Sequence, residues 1–574
     1  MSTIRTAEAI LDDVLFSRGV TRSQAAAPLS LLPAPAPSKD IDAACSLILD
    51  AMDRDEPILI VGDYDCDGAT ATAIAIRGLY MLGHARVDFC VPNRLVHGYG
   101  LGRALLKDVI LKRRERPALL ITVDNGIAAH DGIAAAKAEG LRVIVTDHHL
   151  PGHGSLPDAD AILDPSVPGD GMPSTALCGA GVMFYLLLAL RARMRKENRF
   201  NPLLPEPDLS ILLDLVALGT VADVVPLDNT NRILVAAGLR RIRSGKAHLG
   251  IRALFRVARR EASCATSSDL GFSIGPRINA AGRLEDIGSG IRCLICDYEP
   301  DAMRYAMELE GVNQRRKSLQ ETMVEQAQEL LQDTLQSALQ GDPDQPSPPA
   351  YVLHDPRWHE GVVGLVASRV REETNRPVFA FADASNPGEM KGSGRSIPGF
   401  HLRDALAEIH AAHPGLITRF GGHAMAAGLT LPARHLDRFR EAFLQVSRSR
   451  LNASLLSETT LTDGPIRGDE VTRELARLFE GIPWGQAFHE PLFEIEGRCI
   501  EWRRIGDKSQ FWSLKIEVDQ VIHRAVCFSP WADEPPEHIR ALARISLNHF
   551  RGESDVNIML EQPRGKAKRR MHRL

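Results

Sequence analysis

No stretch of this chain is apolar for long enough to cross a bilayer. Its longest apolar run, VMFYLLLAL, holds nine residues, whereas a spanning helix needs about 20. The opening MSTIRTAEAILDDV is charged and has no apolar core followed by a cleavage site, so a cytoplasmic chain without membrane attachment is expected. Disulfide-like spacing is missing among the nine cysteines, and the one close pair, Cys293 and Cys296, has no second pair to complete a zinc site. They read as buried apolar fillers. An excess of positive charge is absent too. The formal net charge of -5 at pH 7 excludes a chain that coats nucleic acid indiscriminately and leaves local charge to decide. There is no internal repeat.

What is present is a 574-residue chain, 44% hydrophobic and 25% charged, long enough for three or four domains with proper cores. Residues 1–40, with the proline-rich AAAPLSLLPAPAPSKD, read as an irregular lead-in. Over 41–296 apolar runs alternate with helical patterns, the rhythm of a parallel sheet. Candidate strands are PILIVGD, ALLITVDNG and RVIVTDHH, separated by helix-like ATATAIAIRGLYMLG and IAAHDGIAAAKAEG. Each strand ends in acid or histidine. The carboxyl ends of parallel strands share one edge, so these polar groups converge there.

Residues 297–349 read as a connecting helix that breaks into a linker at GDPDQPSPP. A second α/β domain follows over 350–454, whose glycine-rich KGSGRS and FGGHAMAAG suit a backbone that approaches a ligand closely. From 455 to 563 short alternating runs such as QFWSLKIEV and HRAVCFS suggest a small barrel. The basic tail RGKAKRRMHRL, 564–574, is expected to be disordered.

The stretch VGDYDCDGATATA places three aspartates at alternate positions after an apolar run. Taken singly, aspartates cap helices and make turns. Taken together, Asp63, Asp65, Asp67, Asp124, Asp147, His148, His149 and Asp223 gather like charge that calls for a cation. Residues two apart in extended chain face the same way, so Asp63, Asp65 and Asp67 would share a face and Cys66 would point away as a spacer. Several carboxylates with imidazole can hold two divalent ions about 3.5 to 4 Å apart, the clamp that serves hydrolysis of a phosphate ester. Oxygen-rich ligation without thiolate suits Mn2+ or Mg2+.

DYDCDG, VDNG, TDHH and VADVVPL, in this order and spacing, resemble the motifs of the DHH phosphoesterase superfamily, which is named for the third. GPRINAAGRL, GSGRSI, FGGHAMAAG and WGQAFHEPLF narrow the resemblance to the bacterial single-strand-specific exonucleases of that superfamily, over nearly the whole chain. The first motif commonly carries alanine where this chain has Cys66, a small departure at a position that holds no metal. The resemblance implies an α/β parallel-sheet DHH domain joined by a long helix to a second α/β, DHH-associated domain, with an OB-type β-barrel at the carboxyl end. It implies that Asp65 and Asp124, with Asp63 near, hold one cation, while Asp67, Asp124, His148 and Asp223 hold the other. Asp124 then bridges. A water between the ions attacks phosphorus, His149 contacts the scissile phosphate, and Asp147 orients the histidine pair.

Basic stretches supply the substrate contacts. Arg94 and Tyr99 lie in VPNRLVHGYG, Arg277 and Arg283 in GPRINAAGRL, and Ser393 and Arg395 in GSGRS. Arginine forks match phosphate oxygens, although any single arginine also fits a surface salt bridge. In the family these groups form a pocket for the 5′ end. His423 is either a buried histidine satisfied by backbone or a substrate contact. On the barrel, Trp502, Phe511, Trp512 and Phe528 are candidates for stacking on bases or for core. The resemblance implies 5′→3′ degradation of single-stranded DNA in recombination and repair, by a monomer working beside a helicase and a single-stranded-DNA-binding protein. Two alternatives are weighed against it: a superfamily enzyme acting on short oligoribonucleotides, cyclic dinucleotides or pyrophosphate, and a non-catalytic nucleic-acid-binding scaffold. The additional barrel disfavours the first. The full ligand set disfavours the second.

Overall fold

The computed structural model describes residues 4–93, 96–152, 155–340, 348–456, 459–506, 511–528, 534–550, 553–562 and 566–570. Near the amino end five strands, β1 (Ile58–Gly62), β2 (Val87–Cys90), β3 (Leu119–Val123), β4 (Arg142–Thr146) and β5 (Ala161–Leu163), form a parallel sheet in the order β2-β1-β3-β4-β5. Every residue of β1 and β3 is buried, as expected of a sheet covered on both faces. The order reverses between β1 and β3, and a doubly wound sheet opens its ligand crevice at that point, beyond the carboxyl ends of the strands. The first two acidic motifs follow those two strands.

By internal contacts the chain forms two compact units, 1–312 with 461–563 and 568–574, and 313–460 with 564–567. The helix Glu299–Gln340 runs through the boundary. The second unit holds β6 (Tyr351–His354), β7 (Val378–Asp383), β8 (Glu389–Arg395), β9 (Arg419–Gly422) and β10 (Ala426–Pro432), ordered β6-β7-β8-β10-β9. Its core is aromatic. Phe379 meets the edges of Phe439 and Phe443 at 5.4 and 5.0 Å between centroids. A Cβ on Gly392 or Gly394 would lie 2.4 or 2.5 Å from the rings of Phe381 and Phe379. The glycines of KGSGRS therefore make room for core rings. Strand alternation sends Ser393 and Arg395 to the opposite face.

After the short strand β11 (Thr459–Thr462), the first unit resumes with β12 (Phe493–Ile505), β13 (Phe511–Val518), β14 (Val521–Cys527), β15 (His538–Phe550) and β16 (Glu553–Glu561). These five close a barrel in the order β12-β13-β14-β16-β15.

Two expectations at the chain ends need correction. Within 1–40, Ala7–Ser17 is a helix capped by Thr6, and it buries Ala7, Ile10, Leu11, Val14 and Leu15 on one stripe. Arg18 just beyond it pairs with Asp463 at 2.7 Å, both side chains nearly buried, so the lead-in is ordered by groups more than 400 residues away. In the tail, β17 (Lys566–Arg569) pairs with β11, and the Arg570 N–H donates to the Thr462 carbonyl at 2.7 Å. Six cysteines are buried, whereas Cys264, Cys296 and Cys499 are only partly so. Among the described residues no helix is long and apolar enough to cross a membrane.

Candidate metal centre

The chain leaves β1 at Gly62 and starts a helix at Cys66, with Asp65 as its N-cap accepting the Gly68 N–H at 3.0 Å. Asp67 lies in the first turn of that helix. The three aspartates thus converge through a strand-to-helix turn and not through the pleat of an extended segment. Asp67 accepts the N–H groups of Gly179 (2.6 Å) and Ala180 (3.0 Å), at the positive end of the helix Gly179–Lys196. A Cβ on Gly179 would stand 2.5 Å from the Cβ of Asp124, so only glycine lets that helix end reach the crevice.

Asp124 follows β3 with φ of 62°, an unusual backbone for a residue other than glycine. Its N–H donates to the Thr146 carbonyl at 3.0 Å, and Asn125 donates through its side chain to the carbonyls of Val61 and Val123, each at 2.9 Å. These bonds tie the ends of β1, β3 and β4 together. Beyond β4, Asp147 Oδ1 accepts the His148 N–H (2.8 Å) and lies 2.7 Å from His149 Nδ1, while Oδ2 accepts the Ile127 N–H (2.9 Å). Asp147 is a scaffold for the histidine loop. Tyr99 donates its hydroxyl to the Asp124 carbonyl at 3.1 Å and lies 3.4 Å from His149 Nδ1.

Asp223 comes from the end of the helix Leu213–Ala222, so this carboxylate reaches the centre from a helix and not from a strand end. His148 Nε2 stands 3.1 Å from Asp124, 3.6 Å from Asp223 and 3.9 Å from Asp67. Three ligand sets each lie within 4.8 Å: Asp63, Asp65 and Asp124; Asp67, His148 and Asp223; Asp124, His148 and His149. Asp124 and His148 belong to two sets each.

Burial, then the neighbouring carboxylates, push Asp63, Asp124 and Asp223 well above the usual carboxylate range. The same causes push Asp67 up to about 6. Burial also opposes ionisation of Asp147, but the hydrogen bond and charge of His149 outweigh it and lower its pKa. His149 is raised to about 9, since its Asp147 partner overcomes a burial that acts the other way. Oδ1 of Asp63 and Oδ1 of Asp124 are buried with no hydrogen-bond partner among the described residues. Buried carboxylates this crowded are costly unless a cation neutralises them, and an oxygen-rich set with imidazole fits hard divalent ions. The residues fit two such ions.

Arg94 lies outside the described residues. Arg277 is 7% exposed, with Nε 2.6 Å from Glu310 and a bond from Nη1 to the Ser273 carbonyl. Arg283 is partly buried on the same helix, Gly275–Leu284. Ser393 and Arg395 sit together on β8, Nη1 of Arg395 donating to Ser393 Oγ at 3.1 Å. His423 occupies an exposed turn between β9 and β10, so the buried alternative is discarded. On the barrel, Trp502 and Phe528 are 40% and 54% exposed, and partly buried Phe511 meets Phe528 edge-on at 5.0 Å. Trp512 is 1% exposed and belongs to the core, which removes it from the stacking candidates. Sequence reasoning missed Asn125, Gly179 and Asn279, whose Oδ1 accepts the Cys66 N–H at 2.8 Å. Asn279 lies in GPRINAAGRL, between Arg277 and Arg283.

Residues 57–220 match the DHH family N-terminal domain, 349–449 the DHHA1 domain and 462–562 the RecJ OB domain. The chain is 42% identical over 532 residues to the single-stranded-DNA-specific exonuclease RecJ of Salmonella typhimurium, covering 91% of this chain and 89% of that protein. A crystal structure of RecJ in complex with Mn2+ from Thermus thermophilus superposes with a TM-score of 0.76 at 31% identity, over 98% of this chain and 76% of that one. Its counterpart in complex with Mg2+ gives 0.70 at 29%, over 98% and 75%.

Proposed function

The chain belongs to the RecJ family, and on that premise we propose that it is a single-stranded-DNA-specific exonuclease that hydrolyses phosphodiester bonds stepwise from the 5′ end with two divalent cations, Mn2+ or Mg2+. The observation that carries this reading is the pair of ligand sets, Asp63, Asp65 and Asp124 beside Asp67, His148 and Asp223, each compact and linked by the short approach of His148 to Asp124. Asp63, Asp65 and Asp124 would hold one ion, and Asp67, His148 and Asp223 the other, with Asp124 shared. Bound there, the ions supply an activated water and neutralise charge that develops on the phosphate.

The chain's own residues do the rest. Asp147 fixes His149 through Nδ1 and turns the remaining ring nitrogen toward the scissile phosphate, where a donor stabilises developing charge. Tyr99 steadies Asp124 from its carbonyl side. Within the second unit Ser393 and Arg395 bind the terminal phosphate through charge-assisted hydrogen bonds and His423 contacts the strand; within the first unit Arg277 and Arg283 act as phosphate contacts of their own. Trp502, Phe511 and Phe528 offer the strand surfaces on which bases stack.

In this division of labour 41–296 cuts, 297–349 connects, 350–454 holds the strand end, and 455–563 guides the strand. The barrel favours long single strands over dinucleotides. The enzyme acts as a cytoplasmic monomer in recombination and repair, after a helicase has exposed a strand that a single-stranded-DNA-binding protein covers. Product analysis on end-labelled single strands, duplexes and RNA, with Mn2+ or Mg2+, tests the reading. Stepwise loss from the 5′ end of single-stranded DNA alone is expected. Shortening from the 3′ end, or equal use of duplex, would overturn the polarity or the strand specificity.

A further inference from the structure

The stretch WGQAFHEPLF has no task in the reading above, yet it touches the segment that carries Asp223. Directly after Asp223, Val224 adopts φ of 62°, which is strained for a β-branched residue. Its side chain is 60% exposed, so core packing does not hold it there. The restraint lies just downstream. The Pro226 carbonyl accepts Asn231 Nδ2 at 2.9 Å, the Leu227 carbonyl accepts Arg232 Nη1 at 2.9 Å, and the Leu227 N–H donates to the carbonyl of Gln486 at 2.8 Å.

Gln486 offers that carbonyl from a tight turn. Gly485 and Phe488 close it with N–H to carbonyl bonds of 2.9 and 3.2 Å, and Ala487 has φ of 59°, the positive φ that a type II turn requires at its second central residue. The turn is itself clamped. Trp484 and Phe488 stack at 5.0 Å, Arg232 lies 4.8 Å over Phe488, and Arg18 lies 5.4 Å over Trp484. Gly485 packs so closely that a Cβ there would stand 2.6 Å from Leu227 Cδ1.

We propose that the Trp484–Phe488 turn is a positioning element of the metal centre, which fixes Leu227 and thereby holds Asp223 at the cation it shares with Asp67 and His148. The inference rests on the two-cation reading above. It places the residues between the catalytic sheet and the barrel in the service of one ligand, and it explains why strain is kept at Val224.

The test is Mn2+ binding to the full chain, followed by calorimetry and by the loss of the free-ion paramagnetic signal. The unaltered protein should bind two Mn2+. Gly485→Ala should weaken one of them about 10- to 100-fold, the usual cost of losing a residue that orients a ligand, and leave the other unchanged. Adding Leu227→Ala to it makes room for the new methyl and should restore the weakened site. Gln486→Ala should bind both ions normally, because only the backbone carbonyl is used. Should Gly485→Ala not accumulate in folded form, Arg232→Lys, which disturbs the other side of Leu227, must produce the same selective loss. Folded Gly485→Ala or Arg232→Lys protein that binds both ions with unaltered affinity, even at a lower Tm, would overturn the proposal. Fewer than two Mn2+ on the unaltered protein would overturn the two-cation reading instead.

Discussion

Asp67 presents its carboxylate to the amino end of a helix that begins 112 residues later, accepting the Gly179 N–H at 2.6 Å. The same glycine lies against Asp124, so one backbone position orients a ligand of the first motif and leaves space for a ligand of the second. Gly179→Ala removes no ligand, yet its methyl would collide with Asp124. It is expected to lose metal-dependent hydrolysis and at least one bound Mn2+. Near-normal turnover would show that the helix end does not set the ligands.

Asp124→Ala should abolish hydrolysis and Mn2+ binding while the protein stays folded. Its carboxylate is buried among like charges that raise its pKa, so in EDTA the variant should melt no lower than the parent. Replacing poorly compensated buried charge is often neutral or stabilising. Melting curves in EDTA and in Mn2+ check both halves, since only the parent should gain Tm on adding the ion.

Arg395→Ala should weaken use of 5′-phosphorylated strands about 10- to 100-fold, the loss of one charge-assisted hydrogen bond of about 1.5 to 3 kcal/mol, and affect 5′-hydroxyl strands less. Arg277→Ala is a poorer probe, because Arg277 also pairs with Glu310 at 2.6 Å and losing that buried contact should lower Tm. Steady-state rates on the two kinds of strand separate these outcomes. An Arg395→Ala enzyme indifferent to the 5′ group would refute the assignment.

Trp502→Ala should weaken binding to long single strands by about 1 to 3 kcal/mol with little change in Tm. Trp512→Ala should instead destabilise the barrel by about 3 to 5 kcal/mol, since it is a core residue. Fluorescence titration with short and long oligonucleotides, set beside thermal melts, tells stacking from packing.

Asp164, at the end of β5, is fully buried, and burial pushes its pKa up to about 7. A folded pKa above the unfolded value means that the folded protein binds more protons between the two. Its contribution is therefore complete below about pH 4 and is lost as pH rises through about 7. Asp164→Asn should leave Tm nearly unchanged at pH 4 and below and raise it at pH 8, by at most about 4 kcal/mol of stability. A uniform shift at both pH values would point to packing.

The acidic centre was legible in the sequence because its chemistry is local. Parallel strands deliver their carboxyl ends to one edge, so Asp63, Asp124 and the Asp147–His149 loop could be placed together from three short motifs. The barrel and the second α/β unit were legible from strand length and alternation. Other features depended on partners far along the chain. Asp223 arrives on a helix, because a helix end packed against the crevice can present a carboxylate as well as a strand can. Trp512 is buried, whereas Trp502, opposite Leu514 on the neighbouring strand and edge-on to Trp512 at 4.7 Å, stays 40% exposed, a difference made by where the barrel closes over each ring and not by residue type. The glycines of KGSGRS admit phenylalanine rings, and the amino-terminal helix is held by Asp463. Residue type and local spacing determined which groups could bind metal and phosphate. Only packing between distant elements decided which way each group faces, since burial and hydrogen bonding are satisfied by whichever neighbour the fold brings within reach.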